Sequence, residues 1–174
     1  MNKSVLPSLW RFLGLVAVQG LLLHQVGSSI SEYFNVMLYP LFILFLPIQI
    51  PTTAAVILGF LIGLAVDMFY ISPGVHASAG AFSGFARSII LTAFKPKGGG
   101  GYSGKEPIPA PAYFGWSWFL QMAGVFFAAH LFWYFSMDAF AIVYFTTITA
   151  KTLTAWILSM IFVVLFCILF NPKN

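Results

Sequence analysis

Leu58-Gly-Phe-Leu-Ile-Gly-Leu-Ala-Val-Asp67-Met-Phe-Tyr-Ile-Ser-Pro-Gly74-Val-His76-Ala77 is an apolar stretch interrupted by glycines, one carboxylate and a turn. Gly59, Gly63 and Asp67 recur every four residues, and past Ser72-Pro73-Gly74 so do His76, Gly80 and Gly84, with Arg87 three further on. Residues three and four apart share a helix face, so each set forms one stripe. Small residues let two backbones approach closely in lipid, where no hydrophobic effect draws helices together. The stripes predict a helical hairpin packed glycine on glycine. Folding it about Pro73-Gly74 sets Gly63 opposite Gly84 and Asp67 opposite Gly80.

The composition around this stretch fits a lipid solvent. Of 174 residues, 60% are hydrophobic and only 7% charged, with mean hydropathy +0.94. A soluble domain carries roughly 25% charged residues, so a water-soluble globule is excluded. Disorder is excluded by the same scarcity of polar residues, and a disulfide scaffold by the solitary Cys167. The net charge of +4 comes from eight scattered Lys and Arg, too sparse for a nucleic-acid footprint. The class is an all-α polytopic membrane protein, a single transmembrane domain over 1–174.

A hydrocarbon core of about 30 Å needs roughly 20 helical residues. Six apolar runs are read as spans: Leu9 to Val26, Phe34 to Ile50, Thr52 to Tyr70, Val75 to Phe94, Tyr113 to Phe135 and Thr147 to Phe170. Pro47 and Pro51 separate the second and third, and a tight hairpin is expected there because each proline removes a donor and clashes with the preceding turn. Residues 139–149, with Thr146, Thr147 and Thr149, read as an interfacial or re-entrant lead-in to the last span. The first run reads as a start-transfer helix rather than a cleaved signal. Six spans put Lys3, Arg11, Lys95, Lys97, Lys105 and Lys173 on the side of the termini, and Glu32 and Asp138 on the other. By the positive-inside rule both termini are cytoplasmic.

Residues 95–111 read as a flexible Gly/Pro-rich basic cytoplasmic loop. Within it Gly99 to Lys105 spells G-x-x-x-x-G-K, but Glu106 stands where a phosphate-binding loop needs Ser or Thr, Pro107 follows, and no strand precedes. No nucleotide site is expected.

Charges inside a membrane need a partner or an aqueous cavity. Asp67 lies within a turn of the outer face, and Arg87, seven residues past Gly80, lies about 10 Å deeper at 1.5 Å per residue. Lys151, near the outer start of the last span, is the better ion-pair candidate for Asp67. The competing expectation is that Asp67 caps or bridges backbone at the Ser72-Pro73-Gly74 turn while Lys151 and Arg87 snorkel to headgroups. Ser83 with His130 resembles the dyad of an intramembrane serine protease, but Ala81 replaces the glycine those enzymes carry two places before the nucleophile. A dyad also requires the two side chains to reach hydrogen-bond distance. His24, His76 and His130 lack metal-ligand spacing, so no metal or cofactor is expected, and interfacial anchoring or interhelical hydrogen bonding is assigned to each. Trp116, Trp118, Trp133 and Trp156 read as lipid-facing bulk and interface belts.

The Leu58 to Ala77 stretch resembles the signature of MreD, the rod shape-determining membrane protein family of bacteria. Its pattern, G-x-x-x-G-L-x-x-D, then a Gly turn, His-Ala and a second small-residue helix ending near a basic residue, falls here on Gly59, Gly63, Leu64, Asp67, Gly74, His76, Ala77 and Arg87. Tyr39-Pro40 and the run from Leu46-Pro47 to Pro51 are similar to the family's second span and hairpin. The loop from Lys95 to Pro111 is longer than the family's. The resemblance implies a non-enzymatic scaffold of the cell-elongation machinery in the bacterial inner membrane. It would bind an MreC-like single-span partner and, through it, support an MreB-like filament and a peptidoglycan polymerase and transpeptidase. The family's fold is similar to that of the substrate-binding subunits of energy-coupling transporters, which supplies the alternative: a vitamin-type binding subunit. Gly14, Ala17 and Gly20 in the first span do not build the sustained small-residue stripe that such a subunit would offer its partner.

Overall fold

The computed structural model describes residues 5–25, 34–70, 72, 74–94 and 107–172. These fold into helices only: α1 (Val5–Ala17), continued by a π-helical stretch Val18–Leu23; α2 (Pro40–Leu44); α3 (Thr52–Tyr70); α4 (Val75–Ala93); α5 (Pro111–Phe114); α6 (Trp116–Ala139); and α7 (Phe145–Phe170). Three of them, α3, α6 and α7, are long and apolar enough to cross a membrane. The Gly99 to Lys105 pattern, Lys3, Glu32, Lys95, Lys97 and Lys173 lie outside the described residues. So does most of the expected flexible loop, but its last residues do not behave as a linker: Ile108 and Ala110 are fully buried, and the Pro107 carbonyl accepts from Ile48 N–H at 3.0 Å.

The largest departure from expectation is the second span. Between Phe34 and Ile50 only Pro40–Leu44 is helical, and the flanking backbone is extended or turned. Pro40 stands at the start of α2, where its missing N–H costs nothing, and the ring of Pro47 blocks continuation past the next turn. This segment is nevertheless the core of the molecule: every residue from Val36 to Leu46 is buried. Non-helical backbone at membrane depth is tolerated only where protein surrounds it. Here α3, α4, α6 and α7 do so. Tyr39 touches His76, and the Leu46 carbonyl meets Arg87, so this segment runs alongside α4.

The last part of the chain also departs from expectation. Phe140, with φ 46°, ends α6, and a single 3₁₀ turn at Ile142–Tyr144 leads into α7 at Phe145. Thr146, Thr147 and Thr149 therefore belong to the first turns of α7 rather than to a re-entrant element. At 26 residues α7 is about 39 Å long, more than a 30 Å core requires, which tilt or projection beyond the membrane accommodates.

Candidate functional site

Helices α3 and α4 form the hairpin that the glycine stripes predict, but the register differs by about two helical turns. A Cβ on Gly59 would strike the Gly80 carbonyl, and one on Gly80 the Gly59 carbonyl. One on Gly63 would strike the His76 carbonyl, and one on Gly84 would lie 2.5 Å from the Ala55 carbonyl. Gly59 therefore faces Gly80, Gly63 faces His76 and Ala77, and Gly84 faces Ala55 and Val56. Gly63 does not face Gly84, and Asp67 does not face Gly80.

Asp67 sets this register. Its Oδ1 accepts from His76 N–H at 3.0 Å, His76 Nδ1 at 2.9 Å and Ser72 Oγ at 3.1 Å; its Oδ2 accepts from Gly74 N–H at 3.1 Å and Ala77 N–H at 3.0 Å. Gly74 is the N-cap of α4, with φ 90°, a conformation that suits glycine. It has no side chain to accept the first free N–H groups, and Asp67 supplies that acceptor from the neighbouring helix. An anion at a helix N-terminus is further favoured by the macrodipole. A carboxylate that must meet the amides of residues 74–77 draws the start of α4 back beside the last turn of α3, which shifts the register. Among the described residues the ionisable side chain in contact with Asp67 is His76. The expected Asp67–Lys151 pair does not form, and Lys151 lies half-buried on α7.

Arg87 is the second correction. It is buried at 2% exposure rather than snorkelling, and its guanidinium donates to the carbonyls of Leu44 (3.4 Å), Leu46 and Pro47 (3.1 Å). The last carbonyls of a helix lack intrahelical donors, and the prolines at 47 and 51 remove two more that could have helped. A guanidinium with five donors and a positive charge suits the C-terminal end of α2.

The extended backbone before α2 is satisfied in the same manner, by residues that composition and spacing did not single out. Gln19 acts as a strand edge in miniature: its Nε2 donates to the Val36 carbonyl at 3.0 Å and its Oε1 accepts from Leu38 N–H at 2.8 Å. Nε2 also donates to the Tyr70 hydroxyl at 2.7 Å. Met37 N–H donates to Ser159 Oγ of α7 at 2.9 Å. Gln19 lies in the π-helical stretch, a distortion that recurs at functional sites. Its one signal in the sequence is an amide in the middle of an apolar run.

Around His76 these elements build an aromatic layer: Tyr39, Tyr70 and Tyr134 lie with ring centroids 5.7, 4.5 and 4.7 Å away. Tyr70 also contacts His24 at 4.3 Å, and Tyr39 contacts His130 at 5.1 Å. Contrary to the sequence expectation, Ser83 and His130 do meet, with Oγ and Nδ1 2.6 Å apart. The Ser83 hydroxyl also donates to the Ala79 carbonyl at 2.8 Å, so both contacts are satisfied together when His130 Nδ1–H donates to Oγ. That arrangement bridges α4 and α6; the imidazole does not then present a lone pair to the hydroxyl, as a general base would. Both side chains are buried, at 1% and 0% exposure. Among the described residues no group of three or more His, Cys, Asp or Glu could hold a metal ion.

The tryptophans divide. Trp116 is exposed, as an interface belt requires, whereas Trp118 donates to the Phe94 carbonyl at 2.7 Å and Trp156 to the Gly124 carbonyl at 2.8 Å. Trp133 stacks on Phe82 at 4.3 Å, so these three tie helices together. No family model, curated protein or solved structure matches the chain. The fold and site define a helical protein in which helices long and apolar enough to cross a membrane pack around a buried, broken segment.

Proposed function

We propose that this chain is a non-enzymatic, multi-pass scaffold of the bacterial inner membrane, with both termini cytoplasmic, that holds an MreC-like single-span partner for the cell-elongation machinery. The observation that carries the reading is how the signature residues are used. Gly59, Gly63, Gly80 and Gly84 close the hairpin, Asp67 and His76 fix its turn, and Arg87 anchors the core segment. All are engaged inside the chain. What the hairpin offers outward is apolar: Ile57, Phe60, Leu61, Leu64 and Met68 of α3, with Phe85 and Ile89 of α4, are exposed. A rigid pair of helices with such a face supports docking of another membrane helix by van der Waals packing. Through the partner, the chain would support an MreB-like filament and the peptidoglycan polymerase and transpeptidase.

Affinity purification of the tagged protein from its own host in mild detergent, with mass spectrometry of what accompanies it, tests this. The expected companions are a single-span MreC-like protein and cell-wall synthases. Recovery of ATPase-linked subunits or a bound vitamin instead would overturn the scaffold in favour of a transporter subunit.

A further inference from the structure

Residues of α1 and α7 line the two sides of a groove of about 570 Å³. Its walls are Gly14, Leu15 and Val18 on one side and Phe162, Phe166 and Phe170 on the other, and Leu38 of the core segment contributes to the lining. Arg11, half-buried, lies at the end where α1 begins and α7 finishes, beside the exposed Trp10. Gly14 leaves the wall open: a Cβ there would meet nothing within 4 Å, unlike one on Gly20, which would lie 2.5 Å from the Phe69 ring.

Length and charge decide what fills the groove. Val18 is seven residues from Arg11 and Phe162 eight from Phe170, so the groove runs about 12 Å along both helices. Half of a 30 Å hydrocarbon core is about 15 Å, so this is the depth of one leaflet. A transmembrane helix needs the whole thickness. An acyl chain needs only its own leaflet, and a phosphate above it would meet the guanidinium, which binds phosphate oxygens in bidentate fashion. An exposed tryptophan at the same level is the usual neighbour of headgroups.

We propose that the α1/α7 groove is a binding site for an anionic phospholipid of the leaflet on the side of the termini, with one acyl chain along Gly14 and Phe166 and the phosphate on Arg11. The site requires a membrane-embedded chain but not the scaffold role, and its test uses the purified protein without partners.

The test is native mass spectrometry of the full chain in mild detergent, equilibrated with equal amounts of phosphatidylglycerol and phosphatidylcholine of matched chains. The wild type is expected to retain phosphatidylglycerol about tenfold more than phosphatidylcholine, the scale of one charge-assisted hydrogen bond. Gly14→Leu should lower retention of both lipids by about the same factor without moving the thermal midpoint, since it fills the groove and disturbs no neighbour. Should Gly14→Leu unfold the protein, Leu165→Trp fills the groove from α7 and carries the same expectation. Arg11→Gln should erase the preference for phosphatidylglycerol. Lipid retention and preference unchanged in the groove-filling variant and in Arg11→Gln would overturn the site. So would a groove-filling variant that keeps its lipid while a co-purified membrane partner is lost, which would assign the groove to a helix.

Discussion

Asp67→Asn is the perturbation whose size the structure specifies best. The substitution keeps the shape of the side chain but replaces one of its two acceptor oxygens by an NH₂ group. If the remaining oxygen serves His76 N–H, His76 Nδ1 and Ser72 Oγ, the amide group faces Gly74 N–H and Ala77 N–H, donor against donor. The opposite flip places it against His76 N–H, while Ser72 Oγ and His76 Nδ1 can turn to accept from it. At least one N–H group at the start of α4 is left without an acceptor, and two in the first flip. Each orphaned group costs about 1–3 kcal/mol, so the expected loss is about 1–6 kcal/mol, increased somewhat by the lost charge at the helix N-terminus. The assay is unfolding by SDS in mixed micelles, followed by helical circular dichroism, with amide hydrogen exchange read at residues 74–77. Exchange at those amides should accelerate more than elsewhere in α4. Because Asp67 and His76 interact directly, the double variant Asp67→Asn with His76→Ala should cost measurably less than the sum of the two singles. Asp67→Asn with Lys151→Met should be additive within about 0.5 kcal/mol. A loss below about 0.5 kcal/mol for Asp67→Asn, or strong coupling to Lys151 instead of His76, would refute the capping account.

Three further outcomes follow from the same contacts. Gly59→Ala drives a methyl group into the Gly80 carbonyl and should destabilise the hairpin by about 1–3 kcal/mol in the same unfolding assay, as overpacking does. Arg87→Met orphans the Leu44, Leu46 and Pro47 carbonyls and should cost about 3–5 kcal/mol, with Arg87→Lys recovering part because one ammonium can still donate to some of them. Gln19→Leu removes the bridge from Val36 and Leu38 to Tyr70 and should cost about 2–4 kcal/mol, with faster exchange of the Leu38 amide; unchanged protection there would show that Gln19 does not hold the segment.

The hairpin was legible because its physics is local. Glycines at intervals of four report a close approach whatever surrounds them, and α3 begins and ends where the sequence predicts, at Thr52 and Tyr70. Its register was not legible. Spacing cannot tell whether Asp67 reaches across to another helix's face or to its N-terminus, and that choice moves the pairing by about two turns. Hydropathy makes the Phe34 to Ile50 segment look like a span because it measures the absence of water and does not distinguish lipid from protein as the apolar surroundings. Pro40 within the run was the one contrary sign. Once that segment is known to be non-helical, Arg87, Gln19 and Ser159 acquire their roles, since broken backbone inside a membrane requires donors and acceptors from side chains. Ser83 and His130 sit on different helices, and no pattern along the chain reports a contact between residues 47 positions apart.

The proposed role in rod-shaped growth is open to test by depleting the protein from its own host. Cell width and the pattern of new peptidoglycan would be followed as the protein declines, with restoration attempted by wild type and by Gly80→Leu, which the packing against Gly59 forbids. Depleted cells are expected to widen and round as side-wall incorporation fails, and wild type but not Gly80→Leu is expected to restore the rod. Depleted cells that keep their width and side-wall incorporation would contradict that role.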